Sequence, residues 1–196
     1  MSSAQDWDER FRSDDHANPK PDPLLAVSSK YWALLPSGNG AQNARPTALD
    51  VASGAGRHAV VLAEEGFDVT AMDFSREGLR KGSERAQQKG VSVDWAERDL
   101  ENGDAALGED LYDLVAVFFY LHRPLFPALR RAVKPGGLLV YKTYSVDQLR
   151  YPGRPSHRMH LLEHNELLRA FAGLRVLVYE EQWEGKGTAS LIAQMP

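Results

Sequence analysis

From Thr47 onward, apolar and polar positions switch between a period near two and a period near 3.6. The switching spells strand, helix, strand, helix. Residues 49–51 close a first strand, and residues 57–65 carry helical spacing with Gly66 placed to end it. Residues 69–72 form a second strand that ends in Asp73. Ser75 is a good N-cap with Glu77 early behind it, and that helix runs to Lys89 and stops at Gly90. Residues 91–95 alternate as a short strand and lead to Asp99, and a Gly/Asp-rich loop covers 101–110. Residues 114–119 are wholly apolar, as a strand at the centre of a parallel sheet should be. Residues 123–133 read as a helix with Pro124 in the first turn. Pro135-Gly136-Gly137 reads as a turn, and 138–141 as another buried strand.

The rest of the chain changes character. Segment 145–160 is long and irregular, and 166–171 is a short helix stopped by Gly173. Residues 174–183 and 188–193 are strands joined by Glu184-Gly185-Lys186-Gly187. A link that short implies a hairpin, hence an antiparallel pair. The alternation predicts an α/β, doubly wound sheet with helices on both faces and an antiparallel strand from the final hairpin. In such sheets ligands bind beyond the carboxyl ends of the strands, near the topological switch. Asp50, Asp73, Asp99 and the 119–122 stretch all fall at or just after predicted strand ends.

Composition changes this picture little. At 196 residues, one domain is the default and a sizeable core is available. The chain has no cysteine, which excludes disulfides, cysteine-ligated zinc and thiol catalysis. A net charge of -4 gives no electrostatic footprint for nucleic acid or an anionic membrane. The apolar runs are too short to span a bilayer, and the polar, acidic start lacks a signal-peptide core. The expected location is the cytoplasm. Residues 1–30 read as an N-terminal arm and 31–196 as a single domain. The arm carries Asp14, Asp15, Pro19, Pro21 and Pro23, as a loose tail would. Yet Trp7 and Phe11 lie on one face of a short helix, and such a face can dock over a site.

The chemistry centres on "ALDVASGAGRHA", residues 48–59. Gly54-x-Gly56-x-x-Ala59 looks like a dinucleotide loop, while Asp50-x-Ala52-x-Gly54-x-Gly56 fits a cradle for S-adenosylmethionine. A pyrophosphate disfavours a carboxylate beside its helix N-terminus. Asp50 stands there, and a cationic, phosphate-free cofactor tolerates it. Asp73 can accept ribose hydroxyls with either cofactor. Asp99 suits the exocyclic amine of adenine, with a backbone contact from Leu100.

The chain resembles the class I S-adenosylmethionine-dependent methyltransferases. Within them it is similar to the small tellurite-resistance (TehB-like) and thiopurine-type enzymes. The matching stretches are "WDERF", "ALDVASGAGRHA", "VTAMDFS", "ERDLEN", "YDLVAVFFYLHRPL" and "VKPGGLLVYKTYS", in family order. Two positions depart: Ala52 replaces the usual first glycine, and Ser53 a frequent cysteine. The resemblance implies a Rossmann-like, mostly parallel seven-stranded sheet. It implies that the backbone of Ala52, Ser53, Gly54 and Gly56 cradles the cofactor's amino acid part. Asp73 would hold the ribose, with Phe74 against it or the adenine, and Asp99 and Leu100 would recognise adenine. Phe118 and Phe119 would flank the methionyl group, and Arg10 of the arm would reach its carboxylate.

Arg57 sits in a helix's first turn, against the macrodipole. Asp50, the cofactor carboxylate or an acid of the arm would explain it, and so would simple solvation. His122 is a candidate general base, metal ligand or structural residue, and no ligand spacing supports a metal. His58 reads as a packing or capping residue. Tyr120, Arg123 and Tyr144 are candidates for touching substrate, and Lys142 and Thr143 also lie at that strand end. Segment 145–160 carries Arg150, Arg154, His157, Arg158 and His160 against the single acid Asp147. It reads as an exposed connector or as a lid selecting an anionic substrate. The expected reaction is methyl transfer to a small thiol, chalcogen oxyanion or small acid, with S-adenosyl-L-homocysteine as product. A non-catalytic S-adenosylmethionine-binding module and an NAD-dependent reductase are the alternatives. Oligomeric state is not legible.

Overall fold

The computed structural model describes residues 4–13, 20–36, 45–102, 106–153 and 155–196. Asp14, Asp15, Pro19 and Arg154 of the sequence reading lie outside them, as does part of the 101–110 loop.

Seven strands form one sheet in the order β3-β2-β1-β4-β5-β7-β6. They are β1 (Thr47–Val51), β2 (Asp68–Asp73), β3 (Asp94–Glu97), β4 (Tyr112–Phe118), β5 (Val133–Tyr144), β6 (Arg175–Gln182) and β7 (Thr188–Gln194). The first five pair in parallel, and β7 runs antiparallel to both β5 and β6. The order reverses between β1 and β4, so the turn after β1 and the exit of β4 are neighbours. That is the crevice in which open α/β sheets bind ligands.

The helices are α1 (Ala4–Arg12), α2 (Pro23–Ser28), α3 (Arg57–Glu64), α4 (Arg76–Lys89), α5 (Phe126–Ala132) and α6 (Glu166–Ala170). Alternate residues of the central strands feed two cores. Leu49, Val51, Val115, Val117 and Tyr141 pack with Leu129, Leu167 and Phe171 of the α5–α6 side. Ala48, Leu114, Ala116 and Phe118 pack with Ala59 and Leu62 of α3 and with Leu24 and Leu25 of α2. Leu25 is 1% exposed, so α2, within the stretch 1–30, packs into this core. Burying each such leucine contributes roughly 1.5–3 kcal/mol.

Local signals landed where their chemistry demands. Ser75 Oγ accepts the Gly78 N–H at 3.0 Å, and Gly90 ends α4 in the left-handed region. One expectation fails: Pro135-Gly136-Gly137 is not a turn between elements but part of β5. Gly136 at φ +77 bends the strand, and pairing is kept through Gly136 N–H to Met195 C=O and Met195 N–H to Gly137 C=O. Those partners are distant in sequence, so the local pattern could not reveal them. The helix expected over 123–133 opens as a 3-10 turn at Arg123–Leu125 before α5.

Candidate cofactor and acceptor site

Sheet geometry gathers the β1 loop, Asp73, Asp99 and the β4 exit at one edge. The loop turns through three left-handed residues: Ala52 (φ 54), Gly54 (φ 53) and Gly56 (φ 65). Alanine pays roughly 1–2 kcal/mol there, which glycine would not. Strain of this kind persists where surroundings over-determine the backbone. Here Ser53 N–H bonds the Met72 carbonyl at 2.9 Å, and Arg85 binds the Ala55 carbonyl at 2.5 Å. Trp95 fills the space that a Cβ on Gly56 or Gly82 would need.

Asp50 lies beneath the loop, 1% exposed, and accepts the Ala59 N–H at 3.0 Å. Its carboxylate therefore occupies an amide of the first turn of α3, where a pyrophosphate would seat. Burial pushes its pKa up to about 7; the Ala59 bond and the Arg57 charge oppose that shift. Asp73 accepts Gly54 N–H at 2.7 Å and Ser75 N–H at 2.8 Å, and burial raises its pKa too. The Phe74 N–H bears on the same carboxylate, whose two oxygens still have room to accept a further hydroxyl. Asp99 is exposed, with one oxygen on the Glu101 N–H at 2.9 Å, and Leu100 beside it is buried.

Two polar atoms around these acids are buried without a partner among the described residues: Ser53 Oγ and Tyr120 OH. Burial raises the Tyr120 pKa, and the charges of Glu101, Asp99 and Asp73 push it further the same way. Tyr120 thus lies within electrostatic reach of the acids expected to hold the cofactor. Buried polar groups normally find partners. A ribose and adenine bearing hydroxyls and amines would satisfy this set, so the residues fit S-adenosylmethionine. Among the described residues no group of three His, Cys, Asp or Glu is placed to hold an ion.

The arm docks. Asp8 accepts Ser75 Oγ–H at 2.6 Å and Glu77 N–H at 3.1 Å, and so caps α4 from outside. The Phe11 ring lies on Gly54 and Gly78; a Cβ on Gly54 would come within 2.8 Å of it. Arg10 lies over its neighbour Trp7, 4.8 Å from the ring centroid. Phe74 stands half-buried at the β2 exit, and its N–H lowers the Asp73 pKa.

Beyond β4 the two phenylalanines part. Phe118 turns into the core and stacks on His58 at 3.9 Å, so it does not line the exit. His58 Nε2 accepts the Asp22 N–H at 3.1 Å, and burial lowers its pKa to about 3. It is a neutral structural residue, as its sequence position suggested. Phe119 adopts φ 57 with its N–H on the Lys142 carbonyl at 2.7 Å. That strained turn aims its ring outward, 5.2 Å from Tyr144. Arg57 lies over the Phe119 ring at 5.5 Å, and Lys186 lies over Phe119 at 4.6 Å and Tyr144 at 5.3 Å.

Other candidates are committed elsewhere. Arg123 forks onto Glu166, at 2.6 and 2.9 Å, and onto the carbonyls of Met159 and Leu161, which makes it a strut for the 145–160 segment. Arg150 pairs with Asp147 at 3.2 Å, and Arg158 with Glu163 at 3.1 Å. His157 accepts the Met159 N–H within its own turn. His160 is exposed beside it, 6.4 Å from the His157 ring. Two cations of the net positive segment read from sequence, Arg150 and Arg158, are thus paired with nearby acids, Asp147 and Glu163. His122 starts the Arg123–Leu125 turn, and its ring makes no hydrogen bond among the described residues. Sequence reasoning passed over Asp8, Asp22 and Lys186. The Asp22-Pro23 pair was a helix-start signal; Lys186 gave none, being hidden between two turn glycines.

Comparison with known proteins agrees with this geometry. Residues 48–137 match the family model of a methyltransferase domain. A ubiquinone biosynthesis O-methyltransferase of Pectobacterium atrosepticum is 38% identical over 101 residues, 48% of this chain and 41% of the relative. The chain therefore aligns with less than half the length of the curated relatives it matches. TehB from Haemophilus influenzae superposes with TM-score 0.72 at 16% identity, over 96% of this chain and 67% of that one. A SAM-dependent methyltransferase from Aquifex aeolicus superposes with TM-score 0.68 at 20% identity, over 96% and 98%. No described helix is long and apolar enough to cross a membrane. Residues 48–137 thus match a methyltransferase domain, and the chain shares its fold with TehB and other SAM-dependent methyltransferases.

Proposed function

We propose that the chain transfers a methyl group from S-adenosylmethionine to a small acceptor: a thiol, a chalcogen oxyanion or a small acid. The observation that carries this reading is the Asp50 carboxylate seated on the Ala59 N–H beneath a left-handed loop. It fills the place a phosphate would need, which turns the loop away from NAD. When bound, S-adenosylmethionine would supply a methyl whose bond to the sulfonium sulfur breaks as the acceptor's lone pair bonds its carbon, with S-adenosylhomocysteine as the leaving group. Asp73 and the Tyr120 hydroxyl are assigned to the ribose side, with Asp99 and Leu100 at the adenine. The loop backbone at Ala52, Ser53, Gly54 and Gly56 is assigned to the amino acid end. Holding the two reactants in line contributes on the order of 7–11 kcal/mol without any obligatory general base. His122, whose ring is uncommitted, is the group available for a protonated acceptor. The whole reaction takes place inside the domain, with the arm closing one side through Asp8 and Phe11.

Calorimetry separates the alternatives. S-adenosylmethionine and S-adenosylhomocysteine should bind and NADH should not. Asp73→Ala should weaken the homocysteine product at least tenfold, since a hydrogen bond to a charged group contributes roughly 1.5–3 kcal/mol. Binding of NADH alone would overturn the reading. Cofactor binding with no turnover across a thiol, oxyanion and small-acid panel would favour a non-catalytic module.

A further inference from the structure

Three cations from separate parts of the chain meet at the acceptor end of the site. Arg57 opens α3, Lys142 lies near the end of β5, and Lys186 lies in the β6–β7 hairpin just before β7. Phe119 and Tyr144 link them: Arg57 and Lys186 both lie over the Phe119 ring, and Lys186 also touches Tyr144. Lys142 is paired with Asp22 at 3.1 Å, and both side chains are largely buried, 18% and 8% exposed. Arg57 and Lys186 are half-buried and lie over rings, with no ion pair among the described residues; Arg57 acts on the buried Asp50, and Asp22 on Lys186, only at the longer range of their charges. Of the three cations, only Lys142 has a carboxylate in direct contact. Leaving charges half-desolvated against aromatic rings is costly unless an anion completes the site. The neighbours register the crowding: burial and the charges of Lys142 and Arg57 lower the Lys186 pKa, against an opposing pull from Asp22.

We propose that Arg57, Lys142 and Lys186 form an anion subsite that holds the carboxylate or oxyanion group of the methyl acceptor, against Phe119 and Tyr144. This rests on the methyltransferase reading for the word acceptor, and on the cluster alone for the anion. It moves anion selection from the 145–160 segment, whose Arg150 and Arg158 are paired with acids, to the strand ends beside the β4 exit. The strained Phe119 backbone gains a role: it holds one ring where two cations can share it. Within the acceptor classes proposed above, the subsite favours oxyanions and acids over neutral thiols.

The test titrates the full chain, with and without saturating S-adenosylhomocysteine, with benzoate, benzamide and inorganic sulfate. Benzoate should bind at least tenfold tighter than benzamide, which has nearly the same shape and no charge. Lys186→Gln should weaken benzoate about tenfold and leave the S-adenosylhomocysteine affinity within twofold, while Lys186→Arg should keep most of the benzoate affinity. Sulfate competing with benzoate extends the subsite to tetrahedral oxyanions; failure to compete restricts it to carboxylates, which overturns the oxyanion half. Equal binding of benzoate and benzamide, or benzoate unchanged in Lys186→Gln, overturns the proposal. Loss of S-adenosylhomocysteine in step with benzoate also overturns it, by assigning the cluster to the cofactor's own carboxylate. If wild-type protein binds benzoate through Lys186 but no S-adenosylhomocysteine, the methyltransferase reading fails and the anion subsite stands.

Discussion

At the residue scale, Asp50 and His58 are buried with opposed consequences. The unfolded carboxyl ionises near about 3.9, whereas folded Asp50 holds its proton up to about 7. Between those values the native state binds the extra proton, so this group lowers stability as pH rises from about 4 to about 7. The unfolded imidazole titrates near about 6.5, whereas folded His58 stays neutral down to about 3. There the unfolded state binds the extra proton, so stability falls as pH drops from about 6.5 toward 3. The windows overlap and the signs oppose, so these two groups nearly cancel in the ligand-free protein. Asp50→Asn keeps an acceptor for Ala59 N–H and removes one half. Its urea midpoint should fall more steeply than that of the wild type between pH 6.5 and 4.5. His58→Phe keeps the stack on Phe118 and loses the acceptor for Asp22 N–H, at a cost of about 1–3 kcal/mol. Relative to the wild type, its midpoint should rise over the same descent. Parallel pH profiles for all three proteins would refute the assignment of buried ionisation to these two residues.

At the scale of elements, the closing hairpin shows how position outweighs type. Gly185 has φ +71 and open space around it, whereas Gly187 has an ordinary φ and no room at all. A Cβ on Gly187 would land on the backbone of Asp147 and Gln148. Its N–H bonds Gln148 Oε1 at 3.1 Å, and its carbonyl takes the Ser145 N–H at 3.1 Å. The hairpin is seated on the segment after β5 at Gly187, next to Lys186, and again at Tyr151, whose hydroxyl accepts the Gly185 N–H at 3.0 Å and donates to the Trp183 carbonyl. Gly185→Ala should cost about 1 kcal/mol, the left-handed penalty less the entropy gained in the unfolded chain. Gly187→Ala should cost more, about 1–3 kcal/mol from overpacking, and should weaken benzoate binding by moving Lys186. A smaller loss of stability for Gly187→Ala than for Gly185→Ala, measured by denaturant unfolding, would show that the hairpin is not seated there. The turn sequence Glu184-Gly185-Lys186-Gly187 makes the hairpin legible but cannot tell the two glycines apart, because the distinction lies in a partner about forty residues away.

For the whole molecule, what the sequence discloses and what it hides follow the range of the interactions. Ser75, Gly66 and Gly90 act on their own helices, and the strand-end acids follow from where the strands stop, so all were readable. The continuation of β5 through Pro135-Gly136-Gly137 depends on Met195, and the anion cluster joins residues 22, 57, 119, 142 and 186; neither leaves a local trace. Arg150 and Arg158 misled for the converse reason, because their nearby acids became partners only in the folded chain. The arm ties these scales together. Its face of Trp7 and Phe11 was visible as spacing, but its hold on Ser75, Glu77 and Gly54 was not. If α1 closes over the cofactor, ligand binding and arm docking stabilise each other, since a ligand that prefers the docked state shifts the equilibrium toward it. S-adenosylhomocysteine at about 100 times its Kd should stabilise the chain by about 2.7 kcal/mol. That is a rise in Tm of roughly 5–10 °C for a domain of this size. Phe11→Ala should lower the starting Tm through the lost packing, a cost of about 3–5 kcal/mol for a fully buried ring. It should also weaken S-adenosylhomocysteine by at least tenfold in calorimetry at 15 °C, where the variant remains folded. Unchanged affinity beside a lowered Tm would make the arm a brace for α4 and not a cover for the site.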